Sequence, residues 1–209
     1  MEPSISPILF LSGYQGAGKD TLANMLVERY GFQSVHSIWW IKQQAATALA
    51  MHVPLDKVEG YLSTDHVLKE LPLPFEPFNG LSSRAWQKKE GKRYGYAEKV
   101  EKLLQEKLLP RTTPLVVTGM RVDKRHEMMR QAVKKHGLPA LFVWVKKDVV
   151  TPLAESEKAP DLYPPEPWFD ICVTNVMGQP KAMWEQLGEQ YPTLKGLEKA
   201  GTTPDSMYR

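Results

Sequence analysis

A three-layer α/β sandwich, with a mostly parallel central sheet and helices on both faces, is the fold class this sequence predicts. Three observations predict it. Short apolar runs alternate with longer stretches rich in helix formers along the chain. The runs are continuous rather than alternating, as strands buried on both faces of a parallel sheet require. A glycine-rich turn joins the first apolar run to the first helical stretch.

Ile8 to Ser12 is the first strand, ended by Gly13. After the glycines, Thr21 to Tyr30 places Leu22, Met25, Leu26 and Arg29 at helical spacing, and Gly31 supplies a C-terminal stop. Gln33 to Ser37 is a short strand, and Ile38 to Met51 is a helix. Pro72, Pro74 and Pro77 make the next region a loop, and Ser82 to Lys92 and Tyr96 to Leu109 follow as helices. Leu115 to Thr118, Ala140 to Val145 and Ile171 to Thr174 are further buried strands, interleaved with helices at Lys124 to His136 and Pro180 to Tyr191. One domain is expected for residues 1–209, with a helical segment at about 38–110, a proline-rich lid-like segment at about 121–167 and a frayed polar tail from about 195.

The formal net charge of +3 is too small for a chain that coats nucleic acid. Basic residues gather locally at 84–93, 121–130 and 134–147, a pattern suited to several separate phosphates and equally to solvated helices. The single cysteine, Cys172, excludes an internal disulfide and a cysteine-based metal site, and its place in FDICV predicts a buried, inert thiol. The N-terminal MEPSISPILFLSG lacks a basic n-region, and no apolar run reaches membrane-spanning length, so a cytoplasmic protein without membrane or nucleic-acid partners is expected. A homodimer is compatible with the sequence, which does not choose an oligomeric state. None of the five histidines has a metal-ligand or catalytic partner by spacing, and all are expected at the surface or in the core.

The strongest signal is GYQGAGKDT, Gly13 to Thr21, which matches the phosphate-loop pattern G-x-x-x-x-G-K between a buried strand and a helix. Gly13, Gly16 and Gly18 allow backbone N–H groups to approach phosphate oxygens, Ala17 lies between them, and the helix starting near Lys19 points its positive end at the same place. Lys19 is expected to reach the β- and γ-phosphates. Asp20 stands where a hydroxyl usually meets Mg²⁺, and serves either that cation or only the helix dipole. Thr21 is placed for the α-phosphate. ATP and Mg²⁺ are the expected ligands.

GKDT, SSRAWQKKEGKRYG, LVVTGMRVDKRHE, ESE and FDICVTNVMG together resemble the ordered blocks of the phage-type deoxynucleoside monophosphate kinases, from about Ile8 to Tyr191. The resemblance implies a P-loop kinase that transfers the γ-phosphoryl group of ATP to a (deoxy)nucleoside monophosphate, in the host cytoplasm if virus-encoded. It places Ser82 or Ser83, Arg84, Gln87, Gly91 and Arg93 near the acceptor nucleotide, and we add Lys88 from the same basic run and Trp86 as a base-stacking candidate. A basic solvated helix is the plainer alternative. Trp39 and Trp40 are expected in a core. The family's Thr-Asp-x-Arg becomes Thr118-Gly119-Met120-Arg121 here, which removes a metal-positioning carboxylate and leaves Asp20, Asp65 or Asp123 to compensate. Arg121 and, one turn on, Arg125 are the candidates for neutralising the moving phosphoryl group, against an alternative of surface charge. Ser156 and Glu157 match a Ser-Glu pair, with Glu155 where the family has histidine, and Asn175 to Gly178 match Asn-x-x-Gly beside the adenine, although turn chemistry explains that pattern too. The remaining alternatives are a kinase for another phosphorylated acceptor, since phosphomevalonate kinases carry a similar loop, and a nucleotide-dependent switch that acts through a partner.

Overall fold

β1 (Ile8–Gly13) buries its first five residues, so neither face of the strand meets solvent. The computed structural model describes residues 7–14, 16–65, 67–120, 124–147, 168–176 and 179–192. These fall into two compact units, one combining residues up to Ser37 with those from Val100 onward and the other comprising Ile38–Lys99.

In the first unit, α1 (Lys19–Tyr30) leads to β2 (Gln33–His36). The second unit contributes α2 (Trp39–Ala50) and α3 (Ser83–Arg93), and α4 spans Tyr96–Leu103 before a π turn at Leu104–Leu108. β3 (Leu115–Thr118), α5 (Lys124–Lys135), β4 (Ala140–Lys147), β5 (Ile171–Asn175) and α6 (Pro180–Gln190) complete the first unit. The sheet runs β2-β3-β1-β4-β5 with every neighbouring pair parallel. Each predicted strand and helix is present; the differences are at the ends, where α1 begins at Lys19 and the α-helix after Tyr96 gives way to the π turn.

Side chains alternate across the sheet, and each face has its own cover. Leu9 and Leu11 of β1 join Leu22 and Leu26 of α1 and Met183 and Leu187 of α6 in one buried cluster. Phe10 points the other way and stacks on Phe142 of β4, with ring centroids 4.5 Å apart. His126 of α5 packs against the same Phe142 ring at 4.8 Å. Helices on both faces of one parallel sheet make the expected three-layer sandwich.

Cys172 is exposed, a correction to the buried thiol expected from its apolar neighbours. β5 is an edge strand: Ile171 and Val173 enter the core with α6, and the residue between them faces outward. The open backbone side of β5 is covered by glutamines of α6. Gln186 Oε1 accepts from the Thr174 N–H (2.8 Å) and its Nε2 donates to the Thr174 carbonyl (3.1 Å). Gln190 does the same for Cys172, at 3.4 and 2.8 Å.

The second unit has its own core, in which Trp40, Ile41 and Leu49 of α2 meet Leu73, Phe78 and Trp86. Trp39 packs at its margin, as expected for a core-filling pair. Ser82 caps α3, its hydroxyl accepting from the Ala85 N–H at 3.2 Å. Among the described residues no helix is long and apolar enough to cross a membrane.

Candidate functional site

The turn after β1 is built around glycine because its neighbours leave no room for a side chain. Gly13 has φ +143, and a Cβ there would lie 2.1 Å from the carbonyl oxygen of Val145 in β4. That obstacle is backbone, so no rotamer change relieves it. Gly18, with φ +95, would drive a Cβ to 2.5 Å from Asn175 Nδ2. Asn175, at the end of β5, uses that amide to donate to the Ala17 carbonyl at 3.0 Å, and the Ala17 N–H donates to the Tyr14 carbonyl at 3.1 Å. The turn is thus braced from the far strand of the sheet. Asn175, expected from the resemblance to lie beside a nucleobase, fixes the loop backbone in the structure.

α1 starts directly on this turn, and among the described residues no side chain caps its N-terminus. The N–H groups of its first turn have no intrahelical acceptor, and the helix dipole adds positive potential there. Lys19 Nζ reaches back to donate to the carbonyls of Gly13 (2.9 Å) and Tyr14. Gly13, Gly16, Ala17, Gly18 and Lys19 therefore converge as an anion-receptive cradle, with Asp20 and Thr21 exposed on the first turn behind it. From β1 the chain turns toward β2 and β3, whereas from β4 it turns to β5 on the other side. The cradle sits outside the carboxyl ends of these two neighbouring strands, the switch point where open α/β sheets bind ligands.

Among the described residues no group of three or more His, Cys, Asp or Glu side chains is arranged to hold a metal ion. A hydrated Mg²⁺ nevertheless fits the residues present, because it needs only one or two carboxylates once phosphates and waters complete its shell, and Asp20 offers one in the open. Of the carboxylates named for the missing aspartate, Asp65 is engaged elsewhere: its Oδ1 accepts from the N–H groups of Val67 (2.8 Å) and Leu68 (2.9 Å). Asp123 lies outside the described residues.

Where the resembled family has a carboxylate, Gly119 takes a conformation that side chains rarely adopt and faces the His36 ring. Gly119 has φ +73, and the His36 ring occupies the place a Cβ would take. The missing aspartate is legible in consecutive residues, but the histidine 83 positions away is not, because only the β2–β3 pairing brings the two together.

Of the residues assigned to acceptor binding, Arg84, Lys88 and Arg93 are exposed on α3. Arg84 pairs with Glu70 at 2.8 Å and Arg93 with Glu90 at 3.0 Å. Gln87 is buried, and its Nε2 donates to Ser83 Oγ (3.1 Å) and the Leu62 carbonyl (3.4 Å). Trp86 corrects an expectation: only 5% exposed and edge-on to Phe78, it is a core ring of the second unit without an open face for a base. Arg125 is buried in the first turn of α5, at 7% exposure, which removes the surface-charge alternative for it. Arg121, Ser156, Glu157 and Gly178 lie outside the described residues.

This sheet order, with a phosphate loop leaving its central strand, is the P-loop kinase fold. No protein-family profile matches the chain, and no curated protein matches it in sequence. Solved structures similar to it include the Thermus thermophilus protein TT1252, at 17% identity and a TM-score of 0.45, where the alignment covers 92% of this chain and 98% of that one. A sugar kinase from Janibacter sp. HTCC2649 aligns at 13% identity and a TM-score of 0.41, over 90% and 97%. Shikimate kinase from Bacteroides thetaiotaomicron aligns at 11% identity and a TM-score of 0.41, over 87% and 96%.

Proposed function

We propose that this protein is an ATP-dependent phosphotransferase acting on a (deoxy)nucleoside monophosphate, to give the diphosphate and ADP. One observation carries the proposal: an uncapped helix N-terminus, a lysine amine and a glycine turn converge at the switch point of a P-loop kinase fold. The choice of acceptor rests on the ordered motif blocks described above.

In this mechanism the loop amides and Lys19 hold the triphosphate. Asp20 would hold Mg²⁺, which neutralises phosphate charge when bound. An acceptor phosphate oxygen, already anionic, attacks the γ-phosphorus in line. The bond from that phosphorus to the β–γ bridging oxygen breaks, and ADP leaves with the electron pair. No general base is required, since the nucleophile carries no proton to remove. Arg121 and Arg125 are assigned to the charge of the moving group. Acceptor recognition is assigned to Arg84, Lys88 and Arg93, with Gln87 ordering the helix that presents them.

A coupled assay of ADP release tests the proposal across ribo- and deoxyribonucleoside monophosphates and a non-nucleotide phosphorylated acceptor such as 5-phosphomevalonate. ADP release that requires a nucleoside monophosphate, and that Lys19→Ala abolishes with the fold intact, is expected. Turnover only with the non-nucleotide acceptor would reassign the substrate. Slow hydrolysis indifferent to every acceptor would replace the kinase with a nucleotide-dependent switch.

A further inference from the structure

His36 and a side chain at position 119 compete for one place. A Cβ on Gly119 would stand 2.3 Å from His36 Nε2 and 2.4 Å from Cε1, well inside van der Waals contact. The imidazole edge therefore lies where the first side-chain atom of residue 119 would be, at the position where the resembled family has its carboxylate.

The sheet edge beside the ring is held by hydrogen bonds across three strands. The Ser37 N–H donates to the Thr118 carbonyl and its hydroxyl to the Gly119 carbonyl, both at 2.8 Å, which fixes the chain just after His36. Ser12, completely buried in β1, donates to the Met120 carbonyl at 3.1 Å. The pairings His36 with Thr118 and Phe10 with Val117 bring the end of β3 level with Ser12, one residue before the phosphate loop begins. A half-buried imidazole thus lies on the same carboxyl edge of the sheet as the cradle. Its chemistry differs from that of the group it displaces: a carboxylate only accepts, whereas an imidazole can donate from one nitrogen, and a phosphate oxygen is an acceptor.

We infer that His36 is a donor-binding residue whose imidazole contacts the γ-phosphate end of the bound nucleoside triphosphate, in the space that Gly119 leaves open. The inference rests on the phosphotransferase proposal above and specifies one further contact of the same site.

Binding of Mg²⁺ with a non-hydrolysable ATP analogue, compared with Mg²⁺ and ADP, reads this contact by calorimetry on the full-length protein. His36→Leu keeps volume but removes the hydrogen-bonding groups, and should weaken the triphosphate analogue about tenfold while leaving ADP unchanged. His36→Gln should retain most of the affinity for the triphosphate analogue. In the double variant His36→Gly/Gly119→Asp, a carboxylate occupies the vacated space and should recover Mg²⁺-dependent preference for the triphosphate. Should His36→Leu lose its fold by circular dichroism, His36→Gly is compared with the wild type in its place. Equal losses for both nucleotides, or none for either, would overturn the assignment of His36 while the parent proposal stands. A wild-type protein that binds neither nucleotide would overturn both.

Discussion

A single buried histidine gives this molecule a measurable response to acid. His126 has no exposed surface, and among the described residues neither ring nitrogen has a hydrogen-bond partner. The rings of Phe142, Phe169 and Trp168 surround it at 4.8, 4.9 and 5.7 Å. Burial, with the nearby Arg130 cation, lowers its pKa to about 4, and Asp170 offsets part of that effect. The unfolded chain would take up a proton near pH 6.5, whereas the folded chain resists until about pH 4. Its contribution therefore falls as the medium is acidified through that window, by up to about 3 kcal/mol, and is constant above it. His126→Phe should flatten the decline in Tm between pH 6.5 and 4 relative to wild type, as measured by thermal melts across that range. Parallel declines would refute the role. Arg84 is the second residue to test. Its ion pair with Glu70 is half exposed, so stability should move by less than about 1 kcal/mol on Arg84→Ala. The KM for the monophosphate should rise at least about tenfold, as the loss of a phosphate fork implies, with little change in the KM for ATP. An equal rise in both would remove Arg84 from the acceptor site.

At the scale of elements, the most specific device is the clasp between α6 and β5. Four residues along a helix advance about 6 Å and two along a strand about 6.6 Å, so Gln186 and Gln190 match Thr174 and Cys172 in step. Each amide closes both hydrogen bonds that an adjacent strand would otherwise make. An uncovered edge strand is a template for pairing with another chain. Replacing both glutamines by alanine should lower stability by about 1–3 kcal/mol for the unmatched backbone groups, and produce concentration-dependent association in light scattering. A variant that stays at its wild-type molar mass and stability would show that water serves this edge equally well. On the opposite side of the core, Arg130 ties α5 to the entry of β5 through both oxygens of Asp170, at 2.9 and 3.3 Å, and Asp170 in turn accepts from the Phe142 N–H at 2.7 Å. The polar groups of α5 and α6 thus fix the register of the last two strands.

For the whole molecule, what sequence reveals and what it conceals divide along one physical line. Every strand but β2 is a local apolar run and the helices are local stretches of helix formers, so the layers and the phosphate loop are readable from consecutive residues. Contacts between distant segments leave no local trace. The burial of Trp86 under Phe78, the outward turn of Cys172 on an edge strand, and the His36 ring over Gly119 all depend on which segments become neighbours. The same holds for Asn175, whose bond to Ala17 spans 158 positions. The loop is therefore a local motif held by long-range braces, and ligand binding there should be linked to the stability of the fold. A ligand at a hundred times its Kd that binds only the folded state stabilises it by about 2.7 kcal/mol. For a chain of this size, that corresponds to a rise in Tm of about 5–10 °C with saturating Mg²⁺ and ATP. Lys19→Ala should melt near the wild-type temperature without ligand and lose most of that rise, since the loop carbonyls that its amine bonds can also be satisfied by water. Gly13→Ala should lower the ligand-free Tm as well, because its Cβ meets the backbone of β4 and the strands must part to admit it. Differential scanning calorimetry of the three proteins with and without nucleotide separates these effects. An unchanged nucleotide-dependent rise in Lys19→Ala would show that the triphosphate is held somewhere other than this loop.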